Sequence, residues 1–244
     1  MMLRPARRSN RPGPRSGASR TFAAHAACAW MAAALVSMSA PAHAQQSAAM
    51  PMSQSPGPCG YVTNAYGPFD YRKDKDRLTV VEQYHFTPKV EQLVAGQSNY
   101  IGGDLDYTLR AFPNHHRALL ALMRYGDRLK TEQIPYTNYS LRCYFVRAIT
   151  FKEDDTTVRM LYATYLKNRD QKDEAIRQLE VAKSFGAENG FTQYNIGLMY
   201  TELGEYDRAL EQAHTAMALG FSLPELKNRL VAANHWAEPA SAPR

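Results

Sequence analysis

The chain has 244 residues, 29 of them Lys or Arg and 23 Asp or Glu, with a formal charge of +6 and a mean hydropathy of −0.47. Six of the arginines (Arg4, Arg7, Arg8, Arg11, Arg15, Arg20) lie in the first 20 residues. Taking six from 29 leaves 23 basic residues, equal to the 23 acidic ones. The remainder is therefore close to neutral, which excludes a nucleic-acid interface built on a basic face, and it is long enough for one domain with a real core.

Taken in order, residues 1–44 read as a secretory signal peptide. The arginines form a basic region without acids, Phe22–Val36 is an alanine-rich apolar run too short to span a bilayer, and Ala42-His43-Ala44 is a cleavage site of the A-x-A kind. Cleavage is expected after Ala44, with a periplasmic or secreted product and no membrane span in the mature form. Cys28 leaves with the leader, and Cys59 and Cys143 remain. In an oxidising compartment such a pair is most simply a disulfide, with two free buried cysteines as the alternative. Residues 45–58, rich in Gln, Ser, Ala and Pro, read as a flexible linker.

Residues 59–86 read as an irregular N-terminal cap. Gly60, Gly67 and Pro68 punctuate it, and Tyr61, Tyr66, Phe69 and Tyr71 are too apolar for a solvated loop. A short strand over 78–84 fits the pattern there. Degenerate helical hairpins are expected over 87–155. Thr87-Pro88 opens a helix carrying Val90, Leu93 and Val94. Asp104 caps a second with Leu105, Leu109 and Phe112, and Asn114 caps a third with Ala118, Leu119, Leu122, Met123 and Leu129. A fourth runs from Ser140 to Phe151.

The most regular stretch is 156–224, which repeats itself at a spacing of 34 residues. Asp173, Ala175, Gln178, Ala182 and Gly186 recur as Asp207, Ala209, Gln212, Ala216 and Gly220. A pair of amphipathic helices cannot bury its apolar faces alone, so copies must stack. Small residues at Ala163, Gly197, Ala175, Ala209, Ala182 and Ala216 allow close helix approach. Gly186 and Gly220 are expected to close the second helices in the left-handed region. Upstream, Ala148 and Phe145 lie one period before Ala182 and Leu179, so the repeat extends in weaker form. Residues 225–244 read as a capping helix and tail.

These residues resemble the tetratricopeptide repeat (TPR). Tyr194-Asn195-Ile196-Gly197, Tyr200, Gly204, Tyr206, Ala209-Leu210 and Ala216 carry the pattern best, and Ala163, Leu166, Ala175-Ile176 and Ala182 carry it more weakly. Both copies lack the usual inter-repeat proline. The run 102–119 is also similar to part of a group of bacterial TPR proteins. The resemblance implies an all-α, TPR-like right-handed helical-hairpin solenoid with an irregular N-terminal segment. It also implies a concave groove that binds a protein or peptide partner. Carried onto this sequence, the groove residues are Met160, Leu161, Thr164 and Lys167, flanked by Thr157 and Asn168, then Phe191, Tyr194, Asn195, Leu198 and Thr201, with Glu202 beyond. Met160 and Thr164 stand where the family's carboxylate clamp needs lysine and asparagine, so a chaperone C-terminus is not the expected ligand.

Few residues suggest chemistry. His115-His116 point about 100° apart on a helix and cannot easily grip one metal, so surface histidines in a first turn are expected. Asp104 and Asp106 read as capping residues, and Glu153-Asp154-Asp155 as a solvated acidic turn. No nucleophile elbow, phosphate loop or dinucleotide fingerprint occurs. The expected function is an exported, non-enzymatic scaffold in the bacterial cell envelope, without cofactor or metal. The alternatives are an enzyme or metal site near His115 and His116, and a self-associating structural subunit.

Overall fold

The computed structural model describes residues 57–98 and 100–239. The expected leader, its cleavage site and most of the linker lie outside the described residues. Among those described there are ten helices and no strand. They are α1 (Lys75–Tyr84), α2 (Pro88–Glu91), α3 (Ile101–Ala111), α4 (His116–Leu129), α5 (Leu141–Phe151), α6 (Thr156–Lys167), α7 (Lys172–Phe185), α8 (Gly190–Leu203), α9 (Tyr206–Ala218) and α10 (Pro224–Ala232). None of the helices is long and apolar enough to cross a membrane among the described residues.

The all-α, TPR-like architecture is visible in which helices touch. Each even-numbered helix from α2 to α8 packs on the odd-numbered helix after it, and every even-numbered helix from α4 also packs on the one before it. The even-numbered helices touch one another in succession, α2 to α4, α4 to α6, α6 to α8 and α8 to α10. The result is a row of first helices (α2, α4, α6, α8, α10) with second helices (α3, α5, α7, α9) beside it. One continuous core runs through it, from Phe86 and Val90 to Leu226 and Leu230.

The first helices share a device that the second helices lack. His115, Asp155 and Asn189 each cap one through the side chain, accepting from the backbone N–H three residues on, at 3.2, 3.2 and 2.9 Å. The end members α2 and α10 instead carry Pro88 and Pro224 at their starts. Either solution deals with amides that a helix start leaves unpaired.

The small-residue seam holds. Ala163, Ala175, Ala182, Ala209 and Ala216 are buried, and a Cβ on Gly197 would sit 2.6 Å from Leu226 Cδ2 and 3.2 Å from Gln212 Cβ. Gly220 takes the left-handed conformation, with φ +78°. Gly186 does not. Its φ is −101°, and glycine is required for space, because a Cβ would lie 2.5 Å from Thr192 Cγ2.

Other expectations are corrected near the N-terminus. The cap is irregular only to Asp74, and the supposed strand over 78–84 is part of α1. Leu78 and Val81, three residues apart, bury one helical face against Ala111 and Phe112, which decides against the β-branched run Thr79-Val80-Val81. The helix at Pro88 is a single turn, stopped by Leu93 in the left-handed region (φ 60°). Tyr100, not Asp104, precedes α3, and His115, not Asn114, caps α4.

Candidate functional site

Two places call for a functional reading, the row of first helices and the surroundings of His115 and His116. On the row, Met160, Leu161 and Leu198 are half-buried and pack with one edge against the core. Phe191 is 58% exposed. The polar members turn inward on their own helices: Thr164 Oγ1 donates to Met160 O, Asn195 Nδ2 to Phe191 O and Thr201 Oγ1 to Leu198 O. Beyond them a charged chain crosses three helices. Lys167 pairs with Glu202, and Glu202 lies 3.5 Å from Arg229, which also pairs with Glu225 at 2.7 Å. The surface thus offers apolar contact bounded by charge of both signs.

Tyr194 belongs elsewhere. It is only 6% exposed, its ring meets Phe221 at 5.3 Å, and it borders a cavity of about 290 Å³ shared with Met217, Leu226 and Trp236. Phe191 also reaches Phe221, ring edge to face at 5.6 Å.

The segment 57–74 is the obvious candidate to fill the groove, and its contacts settle where it goes. Cys59 is joined to Cys143 of α5 as a disulfide. Beside it the buried Arg147 of α5 donates to Cys59 O and Tyr61 O, with its guanidinium 4.0 Å over the Tyr139 ring. Phe69 N donates to Ala111 O of α3 at 2.9 Å, and Gly67, with φ +94°, comes so close to Ala111 O that no Cβ would fit. Tyr66 and Phe69 then pack on Phe112 and its neighbours. Among the described residues these contacts reach α3, α5 and the connections before α4 and α6, and leave the groove residues of α6 and α8 uncovered.

The last of these contacts builds the second place. Asp155, expected in solvent, is 1% exposed. Its carboxylate caps α6, accepts from Asn114 Nδ2 at 2.9 Å, and meets His116 Nε2 at 2.9 Å from both oxygens. Asn114 in turn donates to Asp70 at 2.8 Å and accepts from Tyr71 N at 2.9 Å. Arg72 bridges Asp70 and Asp154. Burial works to raise the Asp70 carboxyl, but hydrogen bonds from Arg72 and Asn114 outweigh it and hold it well below the usual carboxylate range. Burial likewise works to raise Asp155, and His116 and Asn114 lower it on balance.

His115 is therefore not a surface residue, and His116 is half-buried. His115 is fully buried, with the Tyr71 ring stacked on it at 4.2 Å and Phe86 edge-on at 4.7 Å. Its Nδ1 accepts from Ala118 N, so the proton of the neutral ring sits on Nε2. That atom lies 3.3 Å from Glu82 Oε1, near enough for attraction but without hydrogen-bond geometry. Burial pushes the His115 imidazole down, against the pull of Glu82 upward. With Tyr71 lying against both rings, the arrangement clamps the N-terminal segment to the α3–α4 and α5–α6 connections. Among the described residues no cluster of three His, Cys, Asp or Glu has the geometry to hold a metal ion.

Asp104 and Asp106 are also buried, at 0% and 4% exposure, and serve as acceptors at the centre of side-chain networks rather than as caps. Sequence reasoning misses Asp70, Arg72, Asn114 and Asp155 as a unit, since Asn114, at its centre, lies 44 residues from Asp70 and 41 from Asp155. The signal that could have found it is an unusual density of aromatics beside Asp70 and of histidines beside Asn114.

No family model matches the chain, and no curated protein matches it. Among solved structures, one of a mutant of MamA is similar at 19% identity, over 62% of this chain and 81% of that one, with a TM-score of 0.37. A TM-score of that size carries no argument, and the hairpin architecture stands on the contacts between the helices themselves.

Proposed function

We propose that this chain is an exported, non-enzymatic scaffold that binds a segment of a partner protein along its row of first helices, in the bacterial cell envelope. The observation that carries the reading is the uncovered strip formed by Met160, Leu161, Leu198 and Phe191 across α6 and α8, while residues 57–74 are pinned elsewhere. Apolar contact along such a strip supplies affinity, and the Lys167–Glu202–Arg229 chain supplies register. Export is supported by the basic region, apolar run and Ala42-His43-Ala44 of the sequence, and by a disulfide that suits an oxidising compartment.

The test is affinity capture from an envelope extract with the chain and with Phe191→Ala and Leu198→Asp. A specific partner retained by the parent and lost by both variants is expected. Phe191 and Leu198 are chosen over Tyr194, whose burial would confuse loss of binding with loss of fold. Equal recovery by all three proteins contradicts the reading.

A further inference from the structure

A second surface stands apart from the row of first helices, on the outward side of α3. Two cavities of about 340 and 310 Å³ adjoin there, and both are lined by His85 and Tyr107, whose rings stack at 3.8 Å. Each is at the small end of the roughly 300–1,000 Å³ typical of ligand pockets. Tyr84, 50% exposed, borders the first. Tyr136, 60% exposed and stacked on Tyr100 at 4.0 Å, borders the second. We propose that this double cleft binds a neutral oligosaccharide.

The polar floor decides the class of ligand. Asp104 accepts from Gln97 N, Ser98 N and His85 Nδ1. Asp106 accepts from Arg110 Nε, Asn138 N, Asn138 Nδ2 and Tyr144 OH. A carboxylate offers about four acceptor sites, so Asp106 has none left for a cationic ligand and Asp104 has little. Two buried carboxylates against the Arg110 guanidinium disfavour an anion. What these carboxylates do is hold three other groups in place. His85, Arg110 and Asn138 line the cleft, His85 Nε2, Arg110 Nη2 and Asn138 Oδ1 have no hydrogen-bond partner among the described residues, and Arg110 is steadied further by Asn64 at 2.9 Å.

Fixed donors and acceptors between flat aromatic rings, with the Arg110 charge offset by its pairing with Asp106, match a sugar, whose C–H faces pack on rings while its hydroxyls exchange hydrogen bonds. Sharing His85 and Tyr107 between two cavities suits a chain of sugars more than one ring. This site is independent of the proposed protein-binding strip and could fail or stand without it.

The experiment is isothermal titration of the purified chain with neutral tetramers of β-1,4-linked glucose and of β-1,4-linked N-acetylglucosamine, with tetralysine as the cationic comparison. Saturable binding of at least one sugar is expected. Tyr107→Ala and Tyr136→Ala should each weaken it about tenfold, the scale of one lost aromatic contact, while Phe191→Ala leaves it unchanged. Tyr136 is exposed enough for its variant to fold, which circular dichroism would show. The proposal is overturned if neither sugar binds at millimolar concentration, if both tyrosine variants bind as the parent does, or if tetralysine binds in place of the sugars.

Discussion

At Asp155 one carboxylate holds a helix start, an asparagine and a histidine together, in a place where three consecutive acids suggest a wet turn. Local sequence can show that Asp155 precedes a helix. It cannot show that Asn114 and His116 come back to it from another hairpin, so its burial is illegible there. Asp155→Ala removes a cap contributing about 1 kcal/mol and strands buried polar partners at about 1–3 kcal/mol. Urea unfolding should therefore show a loss of about 2–4 kcal/mol, and a change under about 0.5 kcal/mol would place it among ordinary surface substitutions. His115 gives a pH signature. Because burial depresses it, the unfolded chain takes up a proton before the folded one does, and stability falls as pH drops below about 6.5. Asp70 and Asp155 have the carboxylate sign, contributing above about pH 4 and losing that contribution as pH falls further. His115→Asn keeps a capping side chain without the titrating ring. Its melting temperature should be lower at pH 7 for lost packing, yet fall less between pH 7 and pH 5 than that of the parent.

Helices in 156–224 are legible because both of their requirements are local: a 34-residue period of small residues, and glycines where the chain turns. Leu78–Tyr84 is not, because its β-branched residues suit a strand until Ala111 and Phe112 supply a face for Leu78 and Val81. Gly197 tests the seam with a change of sign. Helix propensity alone would make Gly197→Ala stabilising by about 1 kcal/mol. Contact with Leu226 and Gln212 at 2.6 and 3.2 Å makes it overpacking instead, with an expected loss of about 1–3 kcal/mol by urea unfolding. The N-terminal segment tests the disulfide. Cys59 and Cys143 are 84 residues apart, a loop whose closure stabilises by about 4–5 kcal/mol at most on chain entropy. Reduction should lower the urea midpoint markedly, and Cys59→Ser with Cys143→Ser should reproduce the reduced midpoint.

For the molecule as a whole, the division of labour is between a scaffold that repeats and surfaces that do not. The core positions recur from α5 onward and can be read from the sequence. The groove residues follow from position in the repeat, and the structure puts most of them half-buried along the even-numbered helices, with Tyr194 turned toward Phe221. The double cleft on α3 is invisible to local pattern, since its residues arrive from α1, α3, the segment before α1 and the connections after α1, α2 and α4. The central claim is that partners are bound along the row of first helices, and site-specific photocrosslinking tests it most directly. A photoreactive residue at Asn195 or Leu198 of α8 should give adducts with one common partner. The same group at Arg177 of α7, whose side chain is 66% exposed, should give none with that partner. Adducts from position 177 and none from positions 195 and 198 would contradict the account.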